Sequence, residues 1–442
     1  MFKRIVFGFM LMPMLIMAQH TIRGTFSPAS EYQFAILYKV LPTTSMYIAN
    51  TQIDEKGSFE FQLDSTISKG MYRLVYAVPQ TEFNFDIIYN GKEDISLTYN
   101  AETGVHFKTS IENTLVNSYT ASMSMVSQSV GNFYHQQSTD SLALASIFKT
   151  QRETQVEYEK AAEGTIASEF IKANKPYIPE AFEDITSYIN NLKFHFFDHV
   201  DFENETLQSS NFLEERILNY VFGMISKEGD EVATYKKNLD EVNAVMKDAN
   251  PVIRMALLEV LWQQMVDTDF EEVANYISDT YLIDIAQSLN DTELVNGLTL
   301  FKNLSIGNKA PEFNVEIEEG KSKTEVSLYD LDTAKQYVIV FWSSSCGHCL
   351  KEIPQLQTYV NAMEKGEMKV IAVGLEDEPT LWEKEIDKYP EFMHVLGLGK
   401  WGSDIANNYN VNATPTYYVL DKEKKIIAKP YDFEAFKKLF DK

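Results

Sequence analysis

A chain of 442 residues is too long for one hydrophobic core, so two or three domains are expected. Hydrophobic and aromatic fractions of 45% and 13% supply enough apolar surface to exclude a largely disordered protein. A formal net charge of -25 repels phosphate backbones and anionic headgroups, which excludes nucleic acid as a partner.

The chain opens with Lys3 and Arg4 ahead of an apolar run from Ile5 to Met17, closed by the small residue Ala18. This pattern reads as a secretory signal over residues 1–18, and a cleaved signal is favoured over a retained anchor because Pro13 interrupts a run shorter than the ~20 residues a membrane helix needs. The expected location is therefore the periplasm or cell envelope. Between about 19 and 108, "TIRGTF", "YQFAILYKV", "GSFEFQL", "MYRLVYAV", "FNFDIIYN" and "DISLTYN" alternate apolar and polar residues between turn formers. An antiparallel β-sandwich or small barrel is predicted, with no catalytic cluster in it.

From 109 to 304 the period becomes helical, predicting an all-α middle domain. Around 138–164, Ser138 or Thr139 can cap a helix whose apolar stripe is Leu142, Ala145, Ile147 and Phe148, with Gly164 past its end. Asn250 and Pro251 form a cap and first-turn proline for another. Residues 1–305 carry 22 Lys plus Arg against 41 Asp plus Glu, a surplus read as a solvated acidic face. "HFFDH" puts His195 and His199 four apart on one helix face, a spacing that can chelate metal. The zinc-protease pattern needs Glu where Phe196 stands, and no third ligand is evident, so packing is expected and no metal site is assigned.

"IGNKAPEF", Ile306 to Phe313, reads as a linker into a last domain over 305–442. There "YVIVFW" and "MKVIAVGL" are unbroken apolar runs suited to buried parallel strands, with a helix between them that contains Pro354. "TYYVLD" and "KKIIAK" form a terminal hairpin and "DFEAFKKLF" a closing helix, which makes an α/β domain. Both cysteines of the chain lie in "FWSSSCGHCLKEIP", at the carboxyl end of the first of these strands, where open α/β sheets place their sites. A bridge between near neighbours closes too short a loop to stabilise much, so the pair is chemical rather than structural. At the start of a helix, Cys346 meets unpaired N–H groups that favour its thiolate, whereas Cys349 lies one turn further in. Cys346 is the expected nucleophile and Cys349 the resolving thiol, the working group being a reversible Cys346–Cys349 disulfide with no other cofactor.

The pair after an apolar strand, with "GNKAPEF" before it and "NVNATPTYYVLDKEKKII" after, resembles the thioredoxin superfamily and within it the exported TlpA/ResA-type thiol-disulfide oxidoreductases. The resemblance spans about Ser305 to Lys442. It implies a thioredoxin-like domain in which Pro415 is a cis-proline facing the cysteines and Thr414 offers backbone groups to an extended substrate. It also implies that Glu352, three residues after Cys349, is a buried acid exchanging protons with the thiols, and that Trp342 stands beside the site. Gly347 and His348 between the cysteines are those of protein disulfide isomerases, and a histidine there draws the couple toward about -180 rather than -270 mV. Substrate contacts are thus expected at Trp342, Gly347, His348, Thr414 and Pro415. The reading is a reductase of disulfides in exported proteins, apocytochromes c among them, fed by a membrane thiol donor. An oxidase or isomerase using the same site, or a binding protein whose front domains capture a partner, are the alternatives. The sequence leaves the oligomeric state open. Haem attachment fails because Leu350 follows Cys349, and the peroxiredoxin pattern fails at Ile339.

Overall fold

The computed structural model describes residues 20–225, 229–319 and 322–441. The signal expected at 1–18 lies outside the described residues. The chain divides into two compact units, one ending at Ile277 and the other beginning at Ser278.

The first unit starts with eight strands, β1 (His20–Ser27), β2 (Phe34–Val40), β3 (Ser45–Gln52), β4 (Ser58–Leu63), β5 (Gly70–Val75), β6 (Asn84–Tyr89), β7 (Ile95–Asn100) and β8 (Gly104–Phe107). They form two four-stranded sheets, β4-β1-β7-β8 and β3-β2-β5-β6. Period-two alternation sends Ile22, Phe26, Phe59, Phe61 and Leu97 from one sheet, and Leu37, Tyr72, Leu74 and Ile87 from the other, into one core. The fold is a sandwich rather than a barrel, and it is not wholly antiparallel: β1 and β7 run parallel, Ile22 opposite Ile95 through Ser27 opposite Asn100. Five strands separate these two in sequence, a connection long enough for either polarity. Gly57 takes φ +80 in the turn before β4, where a Cβ would stand 2.3 Å from the Phe26 carbonyl oxygen, so only glycine closes that turn.

Eight helices and a short turn of helix complete the unit: α1 (Ile111–His135), α2 (Ser141–Ala161), α3 (Ala167–Ala173), α4 (Ile185–Phe194), α5 (Glu205–Gln208), α6 (Phe212–Gly223), α7 (Glu231–Val245), α8 (Pro251–Asp267) and α9 (Glu271–Ile277). The cap of α2 is Asp140, accepting from the Leu142 and Ala143 N–H groups, not Ser138 or Thr139. Of the expected stripe Phe148 is buried and Ile147 half-buried against the same cluster, while Leu142, 82% exposed, and Ala145 face outward; Leu144, Gln151 and Gln155 complete the buried side. Asn250 does cap α8, with Pro251 in its first turn. His195 and His199 do not share a helix face, because α4 ends at Phe194 and the chain turns there. The His195 ring stacks on Tyr177 at 4.8 Å and its Nδ1 pairs with Asp198 at 2.6 Å. Among the described residues no group of three His, Cys, Asp or Glu side chains could hold a metal.

The second unit begins with α10 (Ile283–Ser288) and α11 (Thr292–Asn303), so helical residues ahead of 305 belong with the α/β unit. Leu300 and Leu304 explain this, since they pack into its core. A hairpin follows, β9 (Asn314–Glu319) and β10 (Ser322–Ser327), and then β11 (Gln336–Trp342), α12 (Cys349–Asn361), β12 (Met368–Glu376), α13 (Pro379–Ile386), β13 (Met393–Leu398), α14 (Asp404–Asn408), β14 (Thr416–Leu420), β15 (Ile426–Ala428) and α15 (Phe433–Phe440). The main sheet has the order β13-β12-β11-β14-β15, parallel across the first three strands and antiparallel beyond. An unbroken apolar β11 is what this demands: Tyr337, Ile339 and Phe341 enter a core on one face, Val338, Val340 and Trp342 one on the other. Each such burial contributes about 1.5–3 kcal/mol. Residues 306–313 are not a free linker. The Gly307 N–H donates to Ile426, Ile426 returns a bond to Asn308, and the Ala310 N–H donates to Lys424, at 2.7, 2.8 and 2.9 Å. No helix among the described residues is long and apolar enough to cross a membrane.

Candidate active site

Three parallel strands deliver their carboxyl ends to one rim, and the cysteine segment lies there between β11 and α12. Leu350 donates its N–H to the Cys346 carbonyl at 3.1 Å, so helical bonding of α12 begins at Cys346. The Cys349 N–H donates to the Cys346 sulfur at 3.2 Å, using one of the helix's otherwise orphaned donors. The Cys346 thiol reaches the Thr414 carbonyl at 3.5 Å, and the Thr414–Pro415 bond beside it is cis.

The two sulfurs are not equivalent. Cys346 is half-buried and Cys349 fully buried. Burial pushes the Cys346 thiol up, but hydrogen bonds from Cys349, Thr414 and the backbone of Cys349 and His348 outweigh it and leave the pKa below the ordinary thiol value. Burial also dominates at Cys349, and there the neighbouring Cys346 adds to it, pushing the thiol up to about 12. The outer sulfur therefore gives up its proton more readily than the inner one.

Gly347 and His348 are exposed between the cysteines, and Thr414 and Pro415 are half-exposed. Trp342 is different: it is fully buried, in the same apolar cluster as Cys349, and presents no surface to a docked chain. Both faces of β11 are covered, so the ring is enclosed, which corrects the expectation of a substrate contact. Glu352 is half-buried rather than buried. Its Oε2 accepts from the Tyr417 hydroxyl and from the Phe433 N–H, both at 2.9 Å, so it also caps α15. The Tyr417 hydroxyl is driven well above the usual tyrosine range by burial first, then by Glu352 and Cys349.

Two residues at the site were not singled out from the sequence. Tyr417 links Glu352 to the cluster around Cys349. Glu376, at the carboxyl end of β12, is only 4% exposed and holds the strand-to-helix turn, accepting from the Ser344 N–H at 2.5 Å and the Ser343 hydroxyl at 3.3 Å. Cys346 in turn donates its N–H to the Ser343 carbonyl at 3.1 Å. The signal for Glu376 was present in the sequence: a charged residue ending an otherwise apolar parallel strand.

The family model described as AhpC/TSA matches residues 306–429. A thiol-disulfide oxidoreductase ResA of Bacillus cereus is 32% identical over 127 residues, 28% of this chain and 69% of that protein. The chain belongs to the ResA-type thiol-disulfide oxidoreductases. This ResA-type chain carries a thioredoxin-like oxidoreductase domain at its carboxyl end, behind β-rich and helical regions that the ResA match does not cover. Similar solved structures include the thioredoxin domain of a thiol-disulfide oxidoreductase from Bacteroides vulgatus, 27% identical, covering 31% of this chain and 98% of its own, with a TM-score of 0.26. A thioredoxin-like protein from Bacteroides caccae, 18% identical, covers 60% of this chain and 96% of its own, with a TM-score of 0.40.

Proposed function

We propose that the chain is an exported reductase of protein disulfides in the cell envelope, with the haem-binding cysteines of apocytochromes c as a substrate class. The asymmetry of the two thiols supports this most. The Cys346 thiolate attacks one sulfur of the substrate disulfide, the substrate's second sulfur leaves as a thiolate and takes a proton, and a mixed disulfide forms. Cys349, its proton passed toward Glu352, then attacks the Cys346 sulfur and releases the first substrate sulfur as a thiol. Two electrons have moved to the substrate, and the Cys346–Cys349 disulfide is reduced again by a membrane dithiol donor, which becomes a disulfide. Thr414 and Pro415 are the docking edge for the substrate segment, and Gly347 and His348 border the reacting sulfur.

His348, exposed between the cysteines, favours a second reading in which the couple is oxidising and the same site acts as oxidase or isomerase. The test of exchange chemistry is a Cys349→Ala variant. It should accumulate mixed disulfides through Cys346 with envelope proteins, released by reductant, while Cys346→Ala accumulates none. Equal capture by both variants would mean that the cysteines are not the exchanging groups.

A further inference from the structure

The helical part of the first unit contains a cavity of about 390 Å³ walled by α1 and α6, lined by Thr120, Met123, Ser124, Asn174, Arg216 and Asn219. Arg216 is its only cation. The guanidinium is half-buried, with its carbon 4.5 Å from the centre of the Phe196 ring and 5.7 Å from that of Phe212, and Nη2 donates to the Ala173 carbonyl at 2.9 Å. Nε is buried and has no hydrogen-bond partner, and among the described residues Arg216 forms no ion pair.

That is unexpected in a chain with 64 Asp and Glu residues. Glu215, also on the cavity wall, does not supply it: the charges that act on Glu215 are Asp86 and Arg73, and Asn211 holds its Oε1. Burial pulls the Arg216 pKa down with no neighbouring carboxylate to restore it, yet a guanidinium remains charged. Two aromatic rings offset part of that desolvation and leave the rest uncompensated. An anion in the cavity would close that gap.

We propose that this cavity is a binding site for a small monocarboxylate, with the carboxylate on the Arg216 guanidinium and the apolar body against Met123. The rings lie over the guanidinium and Nη2 already serves Ala173, so the ligand takes the remaining N–H donors at that end, which suit a carboxylate oxygen. Hydroxyl and amide groups of Thr120, Ser124, Asn174 and Asn219 supply further donors. A dianion such as phosphate is disfavoured by Glu215 on the wall and by the protein's own negative field. The volume suits a compact ligand, at the low end of the range for small-molecule pockets. The site uses none of the redox residues, so it stands or falls apart from the oxidoreductase reading.

Calorimetric titration of the full chain with benzoate tests the proposal, with benzamide and inorganic phosphate as comparison probes. Benzoate should bind and the other two should not. Arg216→Gln should weaken benzoate by roughly tenfold or more, the loss of a charge-assisted hydrogen bond. Ser124→Trp, on the exposed rim, should block the cavity while leaving every Arg216 contact in place, and it decides the matter if Arg216→Gln fails to fold by circular dichroism. Disulfide exchange should be unchanged in Ser124→Trp. The proposal is overturned if the wild type takes up no benzoate at about 10 mM, where a millimolar Kd already gives near-saturation. Unaltered benzoate affinity in Ser124→Trp, or binding of benzamide or phosphate as tight as that of benzoate, would overturn it too.

Discussion

Cys349 is a buried acid, and its burial makes stability depend on pH in a way that a single pair of variants isolates. The thiol is held at about 12 against an ordinary value of 9.0. Below pH 9 both folded and unfolded chains keep the proton, and the contribution to stability is fully present. Above it the unfolded chain releases the proton while the folded chain retains it, so stability falls as pH rises toward 12. Each pH unit in that window costs about 1.4 kcal/mol, and the three units between 9 and 12 amount to about 4 kcal/mol. Replacing Cys346 by Ala removes the coupled thiol and leaves burial, the larger cause, in force. Since the chain has two cysteines, that variant retains one thiol. Urea unfolding of Cys346→Ala and of Cys346→Ala/Cys349→Ala, at pH 7 and pH 10, gives the contribution as a difference. Tryptophan fluorescence is a suitable probe, because Trp342, Trp382 and Trp401 of the four tryptophans lie in the second unit. The stability difference between the two variants should shift by about 1.4 kcal/mol against the Cys349-bearing chain on going to pH 10. An unchanged difference would mean that Cys349 is not held protonated by burial, and the division of roles between the thiols would fall with it.

Alkylation of Cys346 by iodoacetamide in the reduced wild type should rise with pH through a midpoint below 9.0; a midpoint at or above that value would show that the hydrogen bonds from Cys349, Thr414 and the backbone do not prevail over burial. Glu376→Ala should lower stability by about 2–4 kcal/mol, since it leaves the buried Ser344 N–H without an acceptor, and should slow disulfide exchange. Glu376→Gln retains an acceptor oxygen and should recover most of both, as read by urea unfolding and insulin reduction; equal losses in the two variants would point to the charge rather than the turn. Glu352→Gln keeps an acceptor oxygen for Tyr417 and Phe433 and should cost less than about 1 kcal/mol, but should slow release of the mixed disulfide more than its formation, measured by single-turnover exchange.

The α/β unit was the most legible part of the chain because its rules are local. "YVIVFW" is apolar at every position since both faces of β11 are covered, and a cysteine pair directly after such a strand can only sit at its carboxyl end. The hairpin β9–β10 and the strand β13 escaped notice, the first because it alternates charges with short apolar residues and the second because His394 and Gly397 interrupt its run. β3 was missed for a related reason: most of its residues are exposed, which leaves no alternation to read. Parallel pairing of β1 with β7 depends on which of many strands meet, a long-range choice that no window of sequence contains. At the site, spacing identified Cys346 and Cys349 and the family resemblance pointed to Glu352, but Glu376 and Tyr417 join it through the packing of β12 and β14 beside β11. Trp342 shows the converse: the family resemblance placed it beside the site as a substrate contact, and because both faces of β11 are covered its ring lies in the core.

The reduction potential of the Cys346 and Cys349 couple, found by equilibrating the full chain with glutathione buffers and quantifying free thiols by mass, tests the central claim most directly. A single reversible two-electron couple below about -230 mV is expected, the mark of a reductant supplied with electrons from outside. A potential near -120 to -180 mV would transfer the site to oxidase or isomerase work, and the absence of any reversible couple would contradict dithiol exchange altogether.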